Sequence, residues 1–531
     1  MLESEDRAML TKLEVDGFKN LREVAVYFGP FTCIAGANGV GKSNLFDAIA
    51  FLSALAQMPL MDAALSVRGG AVLHGDVRNL FHRVGDRIGD RMSFAAELLI
   101  PEQGEDELGQ RATASMTFLR YELRLRFRED PLVRAMGTLM IEHESLVHLN
   151  KTQAKQHLPF HHAKEWRDSV VRGRRTSKYI SMETKGEQAL VSLHADSIGG
   201  KGGGRPSRVP AAILPRTMLS TVTNAAEHRT LVLARKEMAS WTQLYLEPTA
   251  LRAPDSLTAP RSIGPSGLHL PATFYALAQT AERERAGGAA DLYARVANRL
   301  SELVENVRDL SVDVDEKRQL LSTTMTDRYG TTHVASALSD GTLRFLALAV
   351  MEADPRSGSL ICLEEPENGI HPERVAAVII LLGDLAVDVG IAVDASNPLR
   401  QVIINTHSPS VVACVDEGAL IAASETRVRD ADGFDTYVMF HPLPGTWRSR
   451  AQPDVPPMAV GALLAFLDPL SALADQTKSR PGSLDDQTKS RLGSPDDQTK
   501  PRRGRVGATL RVFQRDDVQL ALDLPTGKAD A

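Results

Sequence analysis

The stretch Gly36-Ala37-Asn38-Gly39-Val40-Gly41-Lys42-Ser43 fits G-x-x-x-x-G-K-[ST]. The chemistry of that string requires a strand, a glycine-rich turn and a helix, in that order. Its flanks agree. Phe31 to Ala35 reads as a short buried strand, and Asn44 to Leu52 carries apolar residues at helical spacing. In such a turn the backbone N–H groups converge on phosphate oxygens, and the helix start adds partial positive charge. Lys42 is placed to reach β- and γ-phosphates, and the Ser43 hydroxyl to ligate Mg²⁺. ATP with Mg²⁺ is the ligand this stretch implies.

The other 523 of the 531 residues bound what surrounds the loop. A chain of this length divides into two to four domain-sized units. Hydrophobic residues make up 43% and charged residues 24%, an ordinary globular composition. The formal net charge of -6 argues against a broadly basic surface, though not against a local nucleic-acid groove. Cys33, Cys362 and Cys414 form no C-x-x-C pair and imply neither disulfides nor zinc. A reducing, cytoplasmic setting is therefore expected. The longest apolar stretch, Val375 to Val393, is broken by Gly383, Asp384 and Asp388. It reads as a buried helix and loop, not a membrane span.

Four regions follow from patterning. Residues 8–150 hold the phosphate loop and a series of antiparallel strands. Leu10 to Phe18 and Leu21 to Phe28 read as strands joined at Lys19-Asn20, and Met92 to Ile100, Ala114 to Phe127 and Gly137 to Leu149 as further strands. Residues 151–330 read as an insertion. It has a basic segment at 151–185, a glycine-rich loop at 197–210, broken helical pattern from Pro271 to Val307, and short strands at Leu310 to Val314 and Arg318 to Met325. The basic segment admits two readings, a solvated loop or a patch for a phosphate backbone. Residues 331–470 are a second organised block. In 471–531 an eleven-residue polar unit beginning Asp-Gln-Thr-Lys recurs from Asp475, Asp486 and Asp497. It has no apolar stripe, so disorder is expected.

The second block carries the remaining chemistry. Leu360-Ile361-Cys362-Leu363-Glu364-Glu365 is an apolar strand ending in two carboxylates, a Walker B arrangement. Glu364 is placed to hold Mg²⁺ and Glu365 to orient the attacking water. Leu338-Ser339-Asp340-Gly341-Thr342 opens an apolar helix whose free N–H groups offer another anion site. Gln401 to Thr406 is a strand followed by His407, which could face a γ-phosphate or the lytic water.

Phosphate loop, Leu-Ser-x-Gly signature, Walker B with a second acid, and switch histidine, in that order, resemble the ABC-type ATPase head. The details are similar to the RecF, SMC and OLD branch. Gly36 to Asn44 matches its Gly-x-Asn-Gly-x-Gly-Lys-Ser-Asn form. Glu364-Glu365-Pro366-Glu367-Asn368-Gly369-Ile370-His371-Pro372 and Thr406-His407-Ser408-Pro409 resemble OLD-like ATPases without a TOPRIM domain. The resemblance implies an α/β P-loop NTPase with a mixed-sheet lobe, an antiparallel β subdomain and a helical insertion. ATP would be held by Gly36, Ala37, Asn38, Gly39, Val40, Gly41, Lys42, Ser43 and Asn44. Mg²⁺ would be held by Ser43 and Glu364, and catalysis would fall to Lys42, Glu365 and His407. Ser339 and Gly341 would act on the ATP of a second copy, making an ATP-dependent homodimer or larger even oligomer.

Three departures bear on activity. Glu364 replaces the aspartate common in transporters and SMC proteins, and Asp340 adds a negative charge beside the incoming phosphates. The Q-loop glutamine is unassigned, with Gln103 and Gln110 as candidates by rough position. The interval between phosphate loop and signature argues against a transporter subunit. The short helical pattern argues against a long coiled coil. Two function classes remain: a hydrolysing switch that acts on DNA or gates a partner such as a nuclease or toxin encoded nearby, in repair or phage defence, and an ATP-clamped scaffold with little hydrolysis. An OLD-like nuclease component is a further alternative.

Overall fold

A computed structural model describes residues 8–67, 76–129, 137–185, 188–196, 207–430 and 433–467. The repeat tail, most of the glycine-rich loop, and Ala431-Asp432 lie outside the described residues.

Two large sheets carry the fold. One is mixed, with strand order 242–244, 360–364, 401–406, 31–35, 420–430, 433–442, 83–84, 87–88. Its first five strands run parallel, and the last three pair antiparallel. The strand Phe31–Ala35 therefore sits in the interior, between Gln401–Thr406 and Leu420–Asp430. Strands buried on both faces need continuous apolar runs, as Phe-Thr-Cys-Ile-Ala, Leu-Ile-Cys-Leu and Gln-Val-Ile-Ile supply.

Alternation divides those runs between two cores. Ile34, Cys362, Ile403 and Ile421 face one, which holds the phosphate-loop helix Lys42–Leu55. Cys33, Ala35, Ile361, Leu363, Val402 and Ile404 face the other, shared with helices Asp340–Ala353, Val375–Leu385 and Pro409–Cys414.

The second sheet is antiparallel, ordered 207–210, 188–193, 180–185, 137–148, 118–129, 91–99, 9–16, 24–27. Phe18, Phe51 and Phe94 bind it to the phosphate-loop helix. The ring centroids lie 5.8, 5.5 and 5.7 Å apart in stacked and edge-on geometry. A smaller sheet, with strand Leu320–Asp327 at its centre and Val307–Asp315 along one edge, packs on the helices Leu270–Glu284 and Gly288–Ser301.

Several expectations shift. Residues 151–330 are shared out: Ile180–Lys185, Gln188–Leu193 and Ser207–Pro210 extend the antiparallel sheet, while Thr242–Leu244 forms one edge of the mixed sheet. The strand expected at Ala114 to Phe127 begins at Phe118, because Arg111–Thr113 pairs separately with Gln103–Glu105. The basic segment contains two helices, Ala154–His157 and Lys164–Val170. Much of its charge meets acids: Arg172 pairs with Glu102 at 2.5 Å, Arg175 with Asp196 at 2.7 Å, and Lys151 with Asp168 at 3.0 Å. Glu102 and Asp196 lie outside the segment in sequence, so folding offsets part of its charge excess.

Glu144 is fully buried between the sheet and the turn at Met218-Leu219. It accepts from the Met218 N–H at 2.7 Å, the Leu219 N–H at 2.9 Å and the Tyr121 hydroxyl at 3.2 Å. Burial outweighs these bonds and pushes its carboxyl up to about 7. An acid raised on folding favours the fold at low pH, and that contribution is lost as pH rises from the ordinary carboxylate range through about 7. Denaturant titrations should therefore show the stability advantage of wild type over Glu144→Gln narrowing between about pH 5 and pH 8, by on the order of 3 kcal/mol. A constant difference would show that Glu144 does not titrate with folding.

Candidate nucleotide site

The carboxyl ends of the parallel strands converge on one edge, the place where open α/β sheets bind ligands. Gly36 follows Ala35, Glu365 follows Glu364, and His407 follows Thr406. The Gly36 N–H donates to Thr406 O at 3.1 Å, which joins the start of the loop to the switch strand.

Two glycines in the loop are required by geometry. A Cβ on Gly36 would lie 2.4 Å from Ala423 O. Gly41 has φ 104° and would place a Cβ 2.2 Å from Asn20 Nδ2. Asn20 braces the loop from the first hairpin: its Nδ2 donates to Val40 O at 3.0 Å, and its Oδ1 accepts from Asn44 Nδ2 at 2.8 Å. Lys19, at φ 50°, pairs with buried Asp47 of the helix at 2.7 Å.

Lys42 curls into the loop, donating to Gly36 O at 2.6 Å and Ala37 O at 2.8 Å. Burial lowers its pKa, and the charges of Glu365, Glu364 and Glu367 oppose that shift. The ammonium thus lies where phosphate oxygens would compete for it.

Ser43 Oγ donates to Glu364 Oε2 at 2.9 Å, so the two expected Mg²⁺ ligands are adjacent. No group of three or more His, Cys, Asp or Glu able to hold a metal occurs among the described residues. Two hard oxygen donors fit an ion that completes an octahedron with phosphates and water. Gln243 Nε2 donates to the other Glu364 oxygen at 2.9 Å. Gln103 and Gln110 instead lie in and beside the small 103–105/111–113 pair, and the glutamine that meets Glu364 is Gln243. Asn405 lies within 3.5 Å of Ser43 Oγ.

Glu365 has φ 47°, an uncommon conformation for a non-glycine residue. Its N–H donates to Asn405 O at 3.0 Å. Its carboxylate meets His407 Nδ1 at 2.8 Å and accepts from Asn368 Nδ2 at 2.7 Å. Acid and switch histidine are thus in contact, in a partly open position.

Ser339 caps the helix Asp340–Ala353 through Thr342 N at 3.2 Å. Gly341 permits close passage of the following segment, since a Cβ there would lie 2.7 Å from Gly369 O. Arg344, one turn on, donates to Asn368 O. Asp340 pairs with Arg252 at 2.5 Å, a neutralisation its local sequence does not reveal. Among the described residues, no hydrogen bond joins Ser339 or Gly341 to the Gly36–Ser43 loop.

Gln243, Asn405, Asn20 and Arg252 escaped sequence reading. Gln243 sits on a three-residue strand, too short for a pattern. The others carry no motif and act through tertiary contact.

Gly41→Ala should weaken binding of a fluorescent ATP analogue by at least tenfold, because it combines a positive φ with a clash against Asn20. Gly39→Ala, at φ 83° with nothing within 4 Å of the new Cβ, should lose less. Equal losses would refute the bracing role of Asn20.

The family model described as "AAA domain, putative AbiEii toxin, Type IV TA system" matches residues 31–101 and 261–413. These spans contain all four motifs. A 110-residue stretch is 31% identical to Structural maintenance of chromosomes protein 1 of Arabidopsis thaliana, covering 20% of this chain but 8% of that protein. Among solved structures, the Smc head bound to the C-terminal winged-helix domain of ScpA aligns at 15% identity and TM-score 0.40, covering 81% of this chain and 98% of the other. The SMC head domain from Thermotoga maritima aligns at 11% identity and TM-score 0.33, again covering 81% and 98%. No helix among the described residues is long and apolar enough to cross a membrane. The phosphate loop, signature, Walker B strand and switch histidine all lie inside the spans that resemble an AAA-type ATPase domain.

Proposed function

We propose that this protein binds and hydrolyses MgATP as a dimer-forming switch. The observation that carries the reading is the contact of Glu365 with His407, at the ends of two adjacent parallel strands, beside the Ser43–Glu364 hydrogen bond. Lys42 and Ser43 hold the phosphates and Mg²⁺. Glu364 completes the metal site, oriented by Gln243. Glu365 takes a proton from the attacking water, and His407 fixes the position of that carboxylate. The positive charge at the Ser339 helix start faces the γ-phosphate of a second copy.

Asp340 favours a second reading, an ATP-clamped scaffold, through repulsion of that phosphate. Its pairing with Arg252 offsets the repulsion and favours hydrolysis. The output of the switch falls on DNA or on a protein effector. The toxin named in the family description is in keeping with an effector in a defence setting.

Glu365→Gln should reduce steady-state phosphate release by about 10²-fold or more while retaining ATP binding. It should also accumulate an ATP-dependent dimer in light scattering. Unchanged turnover would refute the assigned base. An ATP-trapped wild-type dimer without phosphate release would favour the scaffold. Repeating the assay with duplex DNA separates the two outputs: stimulation points to DNA, and none to a protein effector.

A further inference from the structure

The third acid of Glu364-Glu365-Pro366-Glu367 has no role in the scheme above. Glu367 lies half-buried between the Walker B end and the switch strand. Its Oε1 is hydrogen-bonded to Thr406 Oγ1, and its Oε2 is buried without a partner. Thr406 immediately precedes His407, and its Oγ1 also accepts from the Ser408 N–H at 2.9 Å. The two bonds on this hydroxyl therefore bracket the backbone of His407.

We propose that Glu367 is a positioning residue for ATP hydrolysis, its carboxyl clamping Thr406 so that His407 is held against Glu365. The inference rests on the proposed role of the Glu365–His407 pair. Burial, with the neighbouring Glu365 charge, pushes the Glu367 carboxyl above the usual carboxylate range against the pull of the Thr406 bond. The Thr406 hydroxyl donates to Glu367 Oε1, and an amide oxygen accepts such a bond as a carboxyl oxygen does, so glutamine should substitute for it. A buried oxygen without a partner costs stability. Retaining the acid for stability alone is therefore a poor account of it, whereas small errors in the placing of a catalytic group cost large factors in rate.

The test compares Glu367→Gln, Glu367→Ala and Thr406→Val in the full chain. Glu367→Gln should keep kcat within about threefold of wild type. Glu367→Ala and Thr406→Val should each lower kcat by about tenfold or more, with KM for ATP within about twofold and little change in melting temperature. The proposal is overturned if Glu367→Ala turns over like wild type, if Glu367→Gln is as impaired as Glu367→Ala, if Thr406→Val is silent, or if the loss appears in KM or in the melt. Glu365→Gln is run alongside: retained turnover there refutes the parent reading, while its loss with an active Glu367→Ala refutes only the clamp.

Discussion

The insertion of the strand Phe31–Ala35 between Gln401–Thr406 and Leu420–Asp430 is the constraint on which the rest depends. It brings a loop near one end of the sequence against acids and a histidine near the other. The Ser43–Glu364 hydrogen bond spans 321 residues. Buried Gln401 seals the same junction, exchanging bonds with Leu10 N and O at 2.9 and 2.8 Å across 391 residues and donating to Gly29 O at 2.9 Å. A fully buried amide with these bonds made is stable, and one left unpaired would be costly. Such long-range pairing is slow to form, because loop closure precedes any gain from the contact.

Around that junction the carboxylates are graded by their surroundings. Glu364 is tied to Ser43 and Gln243. Glu365 is held by His407 and Asn368 at a bend of positive φ. Glu367 is turned inward against Thr406. Three acids within four residues thus meet three environments, one suited to metal, one to a proton, one to a clamp. The Arg344–Asn368 contact runs from the signature helix to the same segment. Movement of the signature therefore has a covalent and hydrogen-bonded route to Glu365.

Much of this was legible in the chain. Motifs that act through their own backbone read well: the glycines at 36, 39 and 41, the apolar run before Glu364, the cap at Ser339. Each depends on neighbours within a few residues, so local order suffices. Gln243 was not legible, because its role comes from lying next to Glu364 in a parallel pair joined at Leu244 and Leu363. Two partners of the basic segment were hidden for a related reason: Arg172 and Arg175 pair with Glu102 and Asp196, which only folding brings near.

The sequence by itself determined the phosphate-loop turn, the apolar strand before Glu364 and the capped helix at Ser339, since backbone turns and strand ends are short-range chemistry. Tertiary structure alone decided how those residues are held. It braced the loop with Asn20, gave Asp340 its Arg252, set Gln243 against Glu364 and turned Glu367 onto Thr406. Those partners lie far along the chain or on short elements. Their pairing follows from which strands are adjacent in the sheet, a property no local pattern encodes.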